Sequence, residues 1–267
     1  MTATGTDPGR SFGEEGGRLT YGRYLRLPEL LAQQVPQVEP PAHDELLFIT
    51  VHQAYELWFQ QLLHELTAVR DLILSQSLWK ARQLLGRAHV IERLLITQVD
   101  VLETMTPQDF LDFRAALAPA SGFQSVQFRE LEFLSGLKDE SFISRFRSLT
   151  EDERARLGRR LAEPSLWDAY LGLLAARGLP GGDDEQVLAA LVEVARDRGR
   201  YDAEWQLAEG LLTHDELAGR WRARHVQMVE RQIGTKSGTG GSTGAPYLRG
   251  RVSIRYYPLL WELRDVL

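Results

Sequence analysis

Residues 43–74 read HDELLFITVHQAYELWFQQLLHELTAVRDLIL, with no glycine or proline to interrupt a helix. Leu46, Leu47, Val51, Leu57, Trp58, Leu62, Leu66, Val69 and Leu72 recur at steps of three and four, the period of a helix that buries one side. The spacing predicts a single long amphipathic helix around which the rest of the chain packs. His52 sits among those apolar positions. Phe48 lies one turn before it and Glu56 one turn after, so a phenyl ring, an imidazole and a carboxylate share one face.

Working outward, residues 78 to about 105 repeat the pattern with Leu84, Leu85, Val90, Ile91, Leu94, Leu95, Val99 and Leu102. Two long helices joined by a short link pack antiparallel. Thr106 and Pro107 have the character of an N-cap and first helical residue, opening a helix to about Leu117 that carries Phe110 and Arg114 on one side. Ser121 and Gln124 have the spacing of a capping box, so a further helix is expected to begin at Ser121. Upstream, a short helix is expected at 28–34. Downstream, short helical pieces fill 139–176, a helix is expected from about 184 to 208, and another spans 215–234. Leu217, Trp221, His225, Met228 and Val229 share a stripe on that last helix. GTKSGTGGSTGAP follows, and the chain closes with a helix in YYPLLWELRDVL. Strand signals are nearly absent, and the expectation is an all-α, single-domain helical bundle. Residues 1–17, rich in glycine, threonine and glutamate, are expected to form a disordered tail. That leaves 18–267 as the folded domain, with 139–210 as a helical cover.

Composition narrows the function. The net charge is −6, which argues against nucleic acid or an anionic membrane as partner. The chain has no cysteine, which excludes disulfides, thiolate metal sites and covalent C-x-x-C-H haem attachment. The N-terminus lacks the basic start and apolar run of a signal peptide. No apolar stretch is long enough to span a bilayer, and a cytoplasmic location is expected.

Of six histidines, only His52 and His225 fall on apolar stripes. Each reads either as a hydrogen-bonded core residue or as one side of a buried cofactor. His52 with Glu56 makes only a weak two-His-one-carboxylate signature. The glycine-rich loop follows a helix and not a strand, so it is not a P-loop. It reads as a flap carrying the Thr239 hydroxyl or as an ordinary surface loop. Arg114 offers a planar fork for a carboxylate, or an interhelical ion pair. Tyr21 and Tyr24 read as packing residues or as an arm toward a neighbouring subunit.

Several segments in order resemble the tryptophan 2,3-dioxygenase family: YGRYLRLPELL, HDELLFITVHQAYELWFQQLLHEL, LETMTPQDFLDFR, ASGFQSVQFRELEFLSG and WRARHVQMVERQIGTKSGTGGSTGAPYLR. The resemblance implies an all-α homotetramer with one non-covalent haem b per subunit, ferrous when active. It also implies cleavage of the indole C2–C3 bond of L-tryptophan by O2 to N-formyl-L-kynurenine, the first step of the kynurenine pathway. On that resemblance His225 would ligate the iron, and His52 would be the distal histidine bonded to the indole N–H. Phe48 would pack on the indole, Arg114 would hold the carboxylate, with Phe110 beside it, and Thr239 would contact the amino-acid end. Ser121 and Gly122 would lie near bound dioxygen. Tyr21, Tyr24 and Leu25 would enter the neighbouring subunit's pocket. Phe110, Val99 and Ala54 depart from residues common in relatives. The alternatives are a monooxygenase acting on a substituted indole, or a haem-binding helical protein without turnover.

Overall fold

The computed structural model describes residues 19–146, 149–240 and 243–267; the tail expected at 1–17 lies outside them. Among the described residues every regular element is helical. In chain order they are α1 (Tyr21–Tyr24), α2 (Leu27–Leu30), α3 (His43–Leu74), α4 (Leu78–Leu102), α5 (Pro107–Leu117), α6 (Val126–Ser135), α7 (Ser141–Arg145), α8 (Glu151–Ala162), α9 (Leu166–Ala176), α10 (Asp184–Arg196), α11 (Arg198–Ile233), α12 (Ala245–Val252) and α13 (Pro258–Val266). The all-α expectation holds. Among the described residues no helix is long and apolar enough to cross a membrane.

The three long helices α3, α4 and α11 form the centre, with α4 packed on both of the others, and α6 and α9 lie against α3. Helix α3 opens with Asp44 and Glu45 in its first turn, where carboxylates complement the exposed amides. The buried Glu45 carboxylate also accepts from the amides of Gln37 (2.7 Å) and Val38 (3.3 Å), fixing the approach of the chain. The buried face runs through Val51, Tyr55, Phe59, Leu62, Leu66, Val69 and Ile73. Leu46 and Leu57 of the expected stripe are instead half exposed. The helix is apolar on two sides, and periodicity alone merged them. Val90, Leu94 and Val101 on α4 likewise face outward.

The helix expected at 28–34 is shorter, because Arg26 in the left-handed region starts α2 and the helix stops at Leu30. Two expected helices, 184–208 and 215–234, are divided differently. The break falls at Asp197, whose side chain caps α11 through the Arg200 amide, and α11 then runs unbroken through LLTHDEL apart from a kink at Tyr201. The polar residues there are partnered inside the protein. Asp215 accepts from the amides of Tyr256 (3.0 Å) and Tyr257 (3.2 Å) and from Trp261 Nε1 (2.9 Å). Gly210 lets α11 close on α4, since a Cβ there would sit 2.7 Å from Leu85 Cδ2. The C-terminal piece forms α12 as well as the expected closing helix.

One large cluster, from Val51 to Leu263, forms the core, and a smaller one joins Phe133, Phe142, Phe146 and Leu157. Truncating a fully buried leucine such as Leu66 to alanine costs about 2–5 kcal/mol in cores of this kind.

Candidate active site

A cavity of about 270 Å³ opens between α3, α5 and α11, and the glycine loop and α12 close it. His52, Phe110, Arg114, Ser121, Gly122, Thr239 and His225 all line it, so seven of the residues singled out from sequence meet in one place. Phe48 stands one layer behind: its ring lies 4.0 Å from that of His52 and 5.7 Å from that of Phe110. Tyr21, Tyr24 and Leu25 are exposed and do not line the cavity.

The two histidines differ in what holds them. His52 Nδ1 lies 2.7 Å from the Phe48 carbonyl oxygen. A carbonyl only accepts, so Nδ1 carries the proton and Nε2 is left as an acceptor. Burial depresses the pKa of His52 against the opposing effects of that carbonyl and Glu56, which keeps the ring neutral. Across the cavity, His225 makes no hydrogen bond among the described residues, and its main ring neighbour is Trp221, parallel at 5.2 Å. Burial first, and His52 second, push its pKa down to about 4. A neutral imidazole with a free lone pair on a rigid helix is what an iron porphyrin requires of its axial ligand.

Glu56 is held by Gln127, whose Nε2 donates to the Glu56 side chain (2.8 Å) and backbone oxygen (2.9 Å). No group of three or more histidine, cysteine or acidic residues is placed to hold a metal ion among the described residues, which leaves the two-His-one-carboxylate reading without support. The wall beyond His225 instead carries guanidiniums. Arg129, Arg222 and Arg251 line it with a single carboxylate, Glu132, between Arg129 and Arg251. Arg129 Nε and Arg222 Nε and Nη1 are buried without a partner among the described residues. Orphaned buried donors are costly, and a planar cofactor with carboxylates on one edge would satisfy them. The residues present fit haem b.

The glycine loop is docked over the opening. Arg114 Nη2 donates to the Ser237 carbonyl at 2.5 Å, and Thr239 Oγ1 donates to the Ala120 carbonyl at 2.6 Å. Gly240 lies so close to the 119–122 turn that a Cβ would fall 2.5 Å from Ser121 Cβ. Gly244 has φ +72° and its Cβ would meet the Lys236 carbonyl at 2.5 Å; only glycine fits either position. Ser121 and Gln124 form the expected capping box, but it closes a 3-10 turn at Gly122–Gln124, and α6 starts afterwards on its own cap, Ser125.

The sequence itself decides the family. A family model described as tryptophan 2,3-dioxygenase matches residues 4–185 and 183–267. A tryptophan 2,3-dioxygenase from Nocardioides sp. is 63% identical over 261 residues, covering 96% of this chain and 98% of that protein. Those of Herpetosiphon aurantiacus (45%) and Caulobacter vibrioides (42%) match 92% and 93% of this chain and 97% and 98% of their own lengths. The chain belongs to the tryptophan 2,3-dioxygenase family.

For a member of the tryptophan 2,3-dioxygenase family, the sequence reading left out the arginine wall and Glu132, and took Trp221 only as a stripe residue. Arg129 lies in VQFRELEFL, a short segment where charged and apolar residues alternate so closely that some charges must be buried with partners. Arg222, next to Trp221 on an arginine-rich helix, gave no such signal; only the fold buries it.

Proposed function

We propose that this protein is a haem-dependent dioxygenase that opens the indole ring of L-tryptophan with O2 to give N-formyl-L-kynurenine. The observation that carries the reading is the pair of neutral histidines, His52 and His225, on opposite helices of one cavity whose rim holds Arg114. When bound, ferrous haem supplies the dioxygen activation. Everything else is done by the chain. His225 would hold the iron, and Arg129 and Arg222 would meet the cofactor's carboxylates. His52 Nε2 would accept the indole N–H, and Phe110 would face the ring, with Phe48 packed behind His52 and Phe110 as the second layer of the aromatic wall. Arg114 would take the substrate carboxylate with its fork, Thr239 would complete the amino-acid end, and Ser121 and Gly122 would line the space left for dioxygen. The docked loop excludes water from the site.

The exposed Tyr21, Tyr24 and Leu25, together with the outward apolar side chains of α3 and α4, support a homotetramer in which this arm completes a neighbour's pocket. A cytoplasmic location goes with this reading, and the net charge of −6 fits it. The test is an absorption spectrum of the purified protein, oxidised and reduced, followed by mass spectrometry of the product from L-tryptophan. Uptake of haem with gain of both oxygen atoms is expected. Gain of one atom, or a His225→Ala variant that keeps pigment and turnover, overturns the reading.

A further inference from the structure

Outside the cavity the molecule buries a second polar constellation that the chemistry above does not use. His214 on α11 lies between Ser135 on α6 and Glu92 on α4, all three buried. Ser135 Oγ is 2.8 Å from His214 Nε2, and Glu92 Oε1 is in close contact with Nδ1. The arrangement has the order of a nucleophilic triad, but the hydroxyl proton decides otherwise. Ser135 donates to the Leu131 carbonyl at 2.7 Å, so Oγ can only accept from Nε2–H, while Nδ1–H faces the carboxylate. The ring carries both protons and is a cation. Burial opposes that charge, but Glu92 and then Asp215 outweigh it and raise the pKa of His214. Glu92 and His89 face the ring from α4, Asp215 and Arg222 from α11, Tyr256 from the C-terminal segment, and Ser135 from α6.

The position of this ion pair along α11 gives it a use. His214, Ala218, Trp221 and His225 follow at steps of four, three and four, and so lie on one face of the helix. The first three line a second cavity of about 50 Å³, which shares Phe59, Phe128, Trp221 and Arg222 with the main cavity. Trp221 is thus one of the four residues common to both cavities, and its ring is stacked on that of His225. We propose that the His214–Glu92 pair, anchored by Ser135, is a positioning device: it fixes the register of α11 against α4 and α6 and thereby, through Trp221, the seat of the His225 ring toward the cofactor.

The proposal rests on the haem reading of the site, and the test separates the two. The ferrous holoenzyme is compared with His214→Gln, Glu92→Gln, the double variant, and Leu191→Ala, a buried truncation on α10 that lines neither cavity. Two quantities are read: the iron–histidine stretching frequency by resonance Raman, and the rate of haem transfer to an excess of apomyoglobin. Each polar variant is expected to shift the frequency and to speed haem loss about tenfold. The double variant should do no more than either single one, because the pair acts as a unit. Leu191→Ala should lower the melting temperature and leave both readouts at wild-type values. Wild-type frequency and haem retention in His214→Gln, or an equal shift in Leu191→Ala, overturns the proposal. If His214→Gln does not fold, Ser135→Ala keeps the ion pair and removes only its third anchor; an unchanged frequency there is equally fatal. A wild-type chain that takes up no haem refutes the site reading itself.

Discussion

His52 donates from Nδ1 to the Phe48 carbonyl one turn earlier on the same helix, at 2.7 Å, and that one bond turns its other nitrogen into an acceptor. A hydrogen bond from the indole N–H to such an acceptor orients substrate and takes no part in breaking the ring. His52→Ala is therefore expected to lower kcat/KM by up to about tenfold, the net worth of one hydrogen bond, without abolishing turnover. Methylating the indole nitrogen should penalise the wild type and leave the variant indifferent. A variant as discriminating as the wild type would falsify the assignment.

Arg114 is the only cation that the sequence reading placed at the rim, and its fork already holds the loop through the Ser237 carbonyl. Charge-assisted bonds are worth about 1.5–3 kcal/mol, so Arg114→Ala should raise KM for L-tryptophan by about 10- to 100-fold, with the smaller effect on kcat. Arg114→Lys should recover only part of this, since an ammonium cannot match two oxygens at once. Steady-state kinetics with tryptophan and tryptamine check it, for tryptamine has no carboxylate to lose.

Loop docking depends on Gly240 touching Ser121. Gly240→Ala places a methyl carbon 2.5 Å from Ser121 Cβ and is expected to hold the loop open, raising KM. Adding Ser121→Gly removes the atom it meets and should restore much of the loss. Absence of rescue in the double variant would show that the close approach does not govern closure.

His89 is expected to mark the acid limit of stability. Burial first, with the charge of His214 behind it, lowers its pKa to about 4. Between the unfolded value of 6.5 and that pH, the unfolded chain binds a proton that the folded chain refuses. Stability therefore falls as pH falls through this window, by about 1.4 kcal/mol per pH unit for one proton. Denaturant titrations of His89→Gln at pH 6 and pH 4.5 should show a pH slope smaller by one proton. An unchanged slope would assign the proton elsewhere.

By itself the sequence determined the helical class, most helix starts and seven residues that the fold brings to one cavity. These follow from local causes: uninterrupted apolar periodicity in 43–74, an N-cap at Thr106 that the structure completes as a capping box with Asp109, and glycines where the loop needs them. His52 and His225 stood out because an imidazole on an apolar stripe needs an explanation even before the fold is known. Tertiary structure alone decided which of two apolar sides of α3 turns inward, since periodicity measures apolarity and not its partner. It alone carried α11 through the polar run around His214 and Asp215, whose cost is met by Glu92, Ser135 and the C-terminal amides, all distant in sequence. The arginine wall arose the same way: only packing removes water from these guanidiniums and leaves Arg129 Nε and Arg222 Nε and Nη1 without a partner among the described residues.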